Sequence, residues 1–339
     1  MKTSPKLTFP ELEEILGKLD TARVGLIGDL CLDLYWIADM KLSELSRETP
    51  HYPLPVVEER SAPGGAGNVA CNIAALAPAK LVVVGLVGKD WRGNLLKESL
   101  QQHGVDDALI LQKSGRMTSA YIKPLRTGIS DVIYEDPRLD FEERAPMDEA
   151  SEQEVLQALE QMASQVDVIC VSDQMKYGIV TDRVREALCE LGRQGKTVVV
   201  DSRDRAMLYH HVTVKPNEVE AARAFGGDPE DPESLSVLAD EISRRTDAPA
   251  LITLGEKGCI VAHEGMVCRC EAYPVEPPID FCGAGDTFLS GFGASLASGF
   301  LPETAAKFAN LCSAVTIKKC STTGTATREE LLRAARLYL

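Results

Sequence analysis

Short apolar runs alternate with amphipathic stretches along most of the chain. The runs are rich in valine, isoleucine and leucine, which is typical of strands buried in a parallel sheet. They lie at residues 23–28, 80–88, 166–173, 197–202 and 250–253. Apolar residues recur at helical spacing between them, at 91–103, 150–164, 179–193 and 232–246. Strands that alternate with helices predict a mainly parallel sheet covered by helices on both faces.

Two segments depart from this alternation and predict a small inserted sheet. Between residues 118 and 141 the apolar period changes to about two, which indicates an antiparallel hairpin. Residues 53–58 are extended and contain two prolines, which suits an edge strand or arm. We expect the hairpin and residues 31–60 to form a small sheet beside the main domain. The predicted organisation is a single domain over residues 1–339, with insertions at about 31–62 and 116–143.

Composition and charge narrow the class of protein. The 339 residues are 45% hydrophobic and 26% charged, which is normal for a globular chain. The formal net charge of −15 argues against a nucleic-acid partner and against an anionic membrane surface. Any phosphate site must therefore be built from local basic residues and backbone amides.

The apolar runs and the cysteines indicate the compartment. The chain has no apolar core of the signal-peptide type and no run near the ~18 apolar residues that a membrane span needs. Its ten cysteines are scattered and do not form two Cys-x-x-Cys pairs at zinc spacing. Free thiols in a reducing cytoplasm are the expectation.

One short stretch combines small residues with a carboxylate before a buried helix. Gly283, Ala284 and Gly285 precede Asp286, and a helix rich in small residues follows. A glycine-rich turn that opens a helix offers unpaired N–H groups and the positive end of the helix dipole, which together bind anions. Asp286 is either an N-cap, or a general base that accepts a hydroxyl proton while the amides hold a phosphoryl group.

Further candidates lie near the N-terminus. Asp29 and Asp33 follow the first strand, where ligands of open α/β sheets lie, so they predict a polyol site as well as simple turn capping. Gly64 and Gly65 form a second glycine-rich loop before a buried helix, and Asn68 there can both donate and accept. Five basic residues are candidates for a second phosphate, or else surface charges: Lys123, Arg126, Arg138, Lys176 and Arg203.

In order and spacing, these motifs resemble the ribokinase-like (PfkB) carbohydrate kinases over nearly the whole chain. The residues that carry the resemblance are Gly64-Gly65 with Asn68, Asn217-x-x-Glu220, Thr253-x-Gly255-x-x-Gly258, and Asp280 with Gly283-Ala284-Gly285-Asp286. Within the family, residues 28–36, 63–74 and 138–143 resemble in particular the heptose 7-phosphate kinase domain of bifunctional ADP-heptose synthases.

The resemblance implies a Rossmann-like αβα sandwich with a β-sheet lid, and transfer of the γ-phosphoryl group of MgATP to a sugar or sugar phosphate. It implies that Asp286 is the base and that the amides of residues 283–286 hold the phosphoryl group. The implied sugar site is Asp29, Asp33, Gly64, Gly65, Asn68 and Asp140, with Lys123, Arg138 and Lys176 as basic candidates. The implied nucleotide site is Asn217, Thr253, Gly255, Gly258 and Asn310. Asn217 and Glu220 would hold Mg²⁺ largely through water, and Asp280 with the Cys282 backbone would match a loop for a monovalent cation such as K⁺.

The sequence is also compatible with other functions. The acceptor could be heptose 7-phosphate or another sugar such as ribose or fructose. A catalytically silent sugar- or nucleotide-binding regulator on the same fold would not need Asp286. A Rossmann dehydrogenase would need a dinucleotide fingerprint directly after a strand, which is absent. Apolar residues on both sides of the inserted strands predict a homodimer through the lid.

Overall fold

A ten-stranded sheet forms the centre of the molecule. The structure is a computed structural model that describes residues 2–319 and 324–339. The strands of the main sheet are β1 (Lys2–Ser4), β2 (Arg23–Gly28), β5 (Lys80–Gly88), β6 (Leu109–Lys113), β10 (Val168–Asp173), β11 (Thr197–Ser202), β12 (Thr213–Val214), β13 (Ala250–Thr253), β14 (Cys259–His263) and β15 (Met266–Cys270). Their order is β1-β15-β14-β13-β12-β11-β10-β2-β5-β6. Only β14 pairs antiparallel with its neighbours in this sheet, so the predicted mainly parallel sheet is confirmed.

A second, five-stranded sheet is the predicted insertion, and we call it the lid sheet. It contains β3 (Leu30–Asp39), β4 (Val56–Gly65), β7 (Ser119–Thr127), β8 (Tyr134–Glu135) and β9 (Leu139–Phe141). β3 lies between β4 and β7, and both β8 and β9 pair antiparallel with β7. The predicted hairpin is therefore present, and β4 is the edge strand.

Ten helices lie in the described part of the chain. They are α1 (Phe9–Lys18), α2 (Ala66–Ala75), α3 (Trp91–Gln102), α4 (Glu149–Ala163), α5 (Asp182–Arg193), α6 (Glu218–Phe225), α7 (Pro232–Thr246), α8 (Ala284–Ala297), α9 (Pro302–Thr316) and α10 (Arg328–Tyr338). Short polar side chains begin many of them: Asp90, Asp148, Thr181 and Asp231 each accept a bond from the first turn.

Two separate hydrophobic cores cover the two faces of the main sheet. Successive residues of β10 alternate between them, since Val168 and Cys170 belong to the first core and Ile169 and Val171 to the second. Helices α1, α2, α3, α8, α9 and α10 contribute to the first core, and α4, α5, α6 and α7 to the second. Burial of both faces explains why the strands are continuous apolar runs.

Some details differ from the sequence prediction. Strands β1 and β6 were not predicted, because three to five residues at the sheet edge carry little periodic signal. Gly64 and Gly65 are not in a loop but end strand β4, which pairs with β3 as far as Leu30. No described helix is long and apolar enough to cross a membrane.

Candidate active site

The N-terminus of α8 has an unusual beginning. Its N-cap is Gly283, with φ +78° and no capping side chain. This left-handed backbone favours glycine, and a Cβ at this position would overlap the side-chain nitrogen (Nδ2) of Asn68. A glycine is therefore required both by the turn and by the close approach of Asn68.

Backbone amides at this end of α8 are available to a ligand. The N–H groups of Gly283, Gly285 and Asp286 have no acceptor among the described residues. Ala284, which the resemblance also assigns to the anion site, already donates its N–H to the Phe281 carbonyl at 3.1 Å. Three of the four expected amides thus remain to bind an anion.

Asp286 is the third residue of α8 and not its N-cap, so the capping alternative does not hold. Its carboxylate accepts a hydrogen bond from Asn68 Nδ2 at 2.8 Å. Burial raises the pKa of Asp286 to about 7, the Asn68 bond and Lys215 lower it, and Asp201 and Asp33 raise it. A carboxylate with a pKa near neutrality is suited to accept a proton.

A buried ion pair lies next to this turn. Lys215 Nζ is 2.9 Å from Asp201 Oδ2, and the two side chains are 4% and 12% exposed. A Cβ on Gly285 would lie 3.9 Å from the Lys215 ammonium. The parallel strands β11 and β12 end side by side and bring these charges together, so a cation stands at the anion-binding turn.

A cavity of about 840 Å³ opens beside the N-terminus of α8. It brings together nearly all residues expected at the nucleotide and the phosphoryl group: Asn217, Glu220, Thr253, Gly255, Gly258, Ala284, Gly285, Asp286 and Asn310. Phe288, Tyr273 and Val275 add apolar surface. The volume and the mixture of apolar and polar groups suit a small-molecule ligand.

Asn217 and Glu220 form a capping box at the start of α6. Glu220 Oε2 accepts from the Asn217 N–H at 2.9 Å, and Asn217 Oδ1 accepts from the Glu220 N–H at 2.8 Å. Burial raises the pKa of Glu220. The box does not use Glu220 Oε1 or Asn217 Nδ2, and both residues line the cavity, so capping is compatible with a bound cation and its water shell.

The turn between β13 and β14 forms another wall of the cavity. Gly258 has φ +92°, and a Cβ there would overlap the Cys270 carbonyl oxygen. Gly255 also has a positive φ and has open space around it. Asn310 donates to the carbonyls of Cys270 and Glu271, at 3.3 and 3.2 Å, which leaves its Oδ1 as the group that can meet a ligand.

On the other side of Asp286, the expected sugar ligand Asp29 is engaged elsewhere. It is 3% exposed, and its oxygens accept from the N–H groups of Gln174, Met175 and Ile179 at 2.7–2.8 Å. Burial raises its pKa to about 6. These contacts assign Asp29 to holding the loop 174–179, and they correct the expectation that it contacts the sugar.

Asp33 lies in lid strand β3, beside Lys123, another residue expected at the sugar site. Its Oδ1 lies 3.8 Å from Lys123 Nζ, which also donates to the Tyr35 hydroxyl at 3.1 Å. A Cβ on Gly64 would come within 2.6 Å of Asp33 Oδ2, and one on Gly65 within 2.6 Å of a backbone carbonyl. Because neither glycine has a Cβ, the Asp33 carboxylate can lie close to the end of β4, directly before α2.

Arg138 and Asp140, two residues apart at strand β9, bind each other at the edge of the lid sheet. The guanidinium makes two hydrogen bonds to the carboxylate, at 2.6 and 2.7 Å, and stacks 4.6 Å from the Tyr121 ring. Both carboxylate oxygens of Asp140 are thus engaged by Arg138 in this arrangement, whereas Asp140 was expected to act as a sugar ligand. Lys176 is exposed above the Tyr177 ring, at 5.0 Å, with no ion pair among the described residues.

Asp280 lies in the turn before α8. Its Oδ1 accepts from the Cys282 N–H at 3.0 Å, and its own N–H donates to the Ile317 carbonyl. These contacts bring the turn next to the end of α9. The monovalent-cation role stays a prediction.

Sequence reasoning did not assign a role to three residues of this site. Asp201 lies near the end of β11 and Lys215 directly follows β12, and only the strand order of the sheet brings them together. Asn72 lies one helical turn after Asn68, and its amide contacts Asn68 at 3.0 Å. The spacing of four residues between the two asparagines was a signal that could have been used.

Comparisons with known proteins agree with this geometry. Residues 31–328 match the family model described as pfkB family carbohydrate kinase. Two curated relatives are the bifunctional protein HldE of Nitrobacter hamburgensis, 34% identical over 91% of this chain, and that of a Bradyrhizobium species, 32% identical over 95%. The chain spans 62% and 64% of the lengths of these relatives.

Solved structures show the same fold at low identity. Arabidopsis thaliana ribokinase with ribose and ATP is 18% identical, with a TM-score of 0.70 over 93% of this chain and 99% of that one. Escherichia coli phosphofructokinase-2 is 17% identical, with a TM-score of 0.73 over 94% and 99%. The αβα sandwich with an inserted β-sheet is therefore confirmed as ribokinase-like. The chain belongs to the pfkB family of carbohydrate kinases, phosphotransferases that use ATP and a divalent metal ion.

Proposed function

We propose that this chain transfers the γ-phosphoryl group of ATP to a hydroxyl of a sugar that already carries a phosphate. The observation that supports it most is the position of Asp286. Asp286 lines the 840 Å³ cavity, beside amides that have no acceptor among the described residues, and Asp33 of the lid sheet is near enough to raise its pKa. A base is needed at the point where an acceptor and a phosphoryl donor meet.

The proposed reaction follows from these groups. Asp286 accepts the proton of the sugar hydroxyl as the hydroxyl oxygen forms a bond to the γ-phosphorus. The bond between the γ-phosphorus and the bridging oxygen breaks, and ADP leaves. The amides of Gly283, Gly285 and Asp286 and the nearby Lys215 ammonium stabilise the charge on the transferring group. The lid sheet excludes water, which favours transfer to the sugar over hydrolysis.

The chain has suitable ligands for the divalent ion, and we propose Mg²⁺. Glu220 and Asp201 line the same cavity, and their carboxylates would supply the oxygen atoms that Mg²⁺ prefers. Asn217 would orient its water shell. When bound, the ion would neutralise the charge of the triphosphate, while Glu220 holds the start of α6 in place. We propose K⁺ as a monovalent ion beside Asp280.

We propose heptose 7-phosphate as the acceptor, with ribose or fructose derivatives as alternatives. Support comes from the HldE relatives and from the basic groups on the sugar side of Asp286. Lys123 lies beside Asp33, and Lys176 projects from the loop that Asp29 holds. A second phosphate on the acceptor would be bound by such groups. A reaction that consumes ATP, and free thiols at the described cysteines, suit a cytoplasmic location.

A substrate panel tests the proposal. ADP release with MgATP is measured for free heptose, ribose and fructose and for their terminal phosphates, and the products are identified by ³¹P NMR. We expect a sugar phosphate to give the highest kcat/KM, with heptose 7-phosphate above the others. Faster turnover of an unphosphorylated sugar would contradict the second-phosphate proposal, and no ADP release with any sugar would contradict the kinase proposal.

A further inference from the structure

Two buried asparagines and a threonine form a hydrogen-bond chain behind the carboxylate of Asp286. Asn68, Asn72 and Thr287 are each 1–2% exposed. Asn72 Nδ2 donates to Asn68 Oδ1 at 3.0 Å and to the Gly324 carbonyl at 3.2 Å. Asn72 Oδ1 accepts from the Thr287 hydroxyl at 3.2 Å. Both ends of the Asn72 side chain are thus engaged, by α2, α8 and the segment that begins at Gly324.

These hydrogen bonds determine whether the nitrogen or the oxygen of the Asn68 side-chain amide faces Asp286. A carboxamide has one end that donates and one that accepts. Asn72 presents N–H to Asn68, so the oxygen of Asn68 turns toward Asn72 and its nitrogen toward Asp286, 2.8 Å away. Asn72 is oriented by two carbonyls that can only accept, those of Asn68 and Gly324, which lie 3.0 and 3.2 Å from its Nδ2. The Thr287 hydroxyl supports this orientation, although its one hydrogen is shared between the Asn72 oxygen at 3.2 Å and the Gly283 carbonyl at 3.1 Å. The opposite orientation of Asn68 would place two acceptors against each other.

We propose that Asn72 is a positioning residue for phosphoryl transfer: it keeps the N–H of Asn68, and not its oxygen, against the carboxylate of Asp286. The proposal rests on the proposed function, in which Asp286 accepts the proton. Asn72 itself is 2% exposed and does not line the nucleotide cavity. Its contribution must therefore act through Asn68.

The surroundings of Asp286 make this hydrogen bond important. Burial and two carboxylates disfavour the charged form, and the Asn68 N–H and the Lys215 ammonium favour it. The titratable or charged groups that face Asp286 are Asp33, Asp201, Lys215, Cys31 and Cys282. Because Asn68 is the direct donor among the described residues, its loss raises the pKa of Asp286 and leaves less of the base ionised at neutral pH.

The test compares the pH dependence of kcat in four variants. Asn72→Leu has a similar shape but no amide, and Thr287→Val removes the hydroxyl that orients Asn72. Thr287→Ser keeps that hydroxyl, and Ser295→Ala removes a buried hydroxyl of α8 that has no partner among the described residues. Thermal melting and ATP titration establish that each variant is folded.

We expect Asn72→Leu to move the acid limb of kcat upward by about one pH unit, which lowers kcat about tenfold at pH 6.5. Thr287→Val should shift it in the same direction by less. KM for ATP should change less than about twofold, since Asn72 is remote from the nucleotide. Thr287→Ser and Ser295→Ala should keep the wild-type profile.

Two outcomes would overturn the proposal. One is an unshifted acid limb in both Asn72→Leu and Thr287→Val. The other is a loss of kcat by the same factor at every pH, which a purely structural role would give. Asp286→Asn is measured in parallel: if it retains turnover, the proposed base is wrong. If it is inactive while the other variants are unshifted, only the role of Asn72 is wrong.

Discussion

Asp286 is the residue on which the pH dependence of the enzyme should depend. Burial raises its pKa to about 7, and the base must be ionised to accept a proton. Below pH 7 the carboxyl group becomes protonated, so kcat should fall about tenfold per pH unit as the pH decreases. Steady-state kcat from pH 5 to 8 checks this, with ATP affinity at each pH as the control. A flat profile would contradict the assignment.

Gly283 offers a second test at the residue scale. Gly283→Ala places a Cβ against the Asn68 amide in a backbone with φ +78°. We expect kcat to fall about 10²-fold, because the anion site and Asn68 both move. Gly299→Ala is the matched control: it follows the same helix, has φ +84°, and has no atom within 4 Å of the added Cβ.

Both glycine variants should lose roughly 1–2 kcal/mol of unfolding free energy from backbone strain. Only Gly283→Ala should lose activity. Denaturant unfolding and kcat measured on the same preparations separate the two effects. Equal activity of the two variants would show that the approach of Asn68 to Gly283 is unimportant.

The sequence predicted the location of some site residues but not the contacts of others. Asp286 and its small neighbours are consecutive residues, so the sequence alone predicted that they lie at one site. Asp29 and Asp33 come soon after the same strand and looked equivalent, yet Asp29 binds amides about 150 positions away, while Asp33 lies in lid strand β3 beside Lys123. Such contacts depend on the order of strands β2 and β10, which local spacing does not contain.

At the scale of elements, Asp29 joins strand β2 to the loop 174–179. Asp29→Asn replaces one acceptor oxygen with a donor that faces a backbone N–H. We expect a loss of about 1–3 kcal/mol of unfolding free energy and weaker binding of a sugar phosphate, since the loop carries Lys176. Urea unfolding and the KM of the acceptor measure both.

Asp33→Asn is the matched control for Asp29→Asn. Its carboxylate accepts no backbone amide among the described residues, so its unfolding free energy should change much less. A stability loss as large as that of Asp29→Asn would indicate that burial of the carboxylate, and not the three amide bonds, accounts for the effect.

Most elements were predictable because both faces of the main sheet are buried. Continuous apolar runs marked the central strands, and period-two alternation marked the lid hairpin. The glycines at the end of β4 misled the prediction, since glycine is also the residue of loops. Here it permits the close approach of Asp33 and Asp29 to the backbone of the strand.

The lid sheet bears on the assembly of the whole molecule. One of its faces packs into the first core through Leu32, Leu34 and Ile122. Other apolar side chains of the lid sheet and its hairpin loop are exposed, with Val57 56% and Ile133 63% exposed. We therefore keep the prediction of a homodimer through the lid sheets.

Light scattering at micromolar concentration tests the dimer. Val57→Glu and Ile133→Glu should yield monomers, while Leu301→Glu, equally exposed but outside the lid, should not change the mass. A wild-type monomer at this concentration would contradict the prediction.

The central claim concerns the molecule as an enzyme: Asp286 accepts the acceptor's proton beside a nucleotide cavity. The most direct measurement is turnover of Asp286→Asn with MgATP and heptose 7-phosphate, together with calorimetric titration of ATP. We predict a loss of at least about 10³-fold in kcat, with ATP affinity within about threefold of wild type. Turnover within tenfold of wild type would contradict the account.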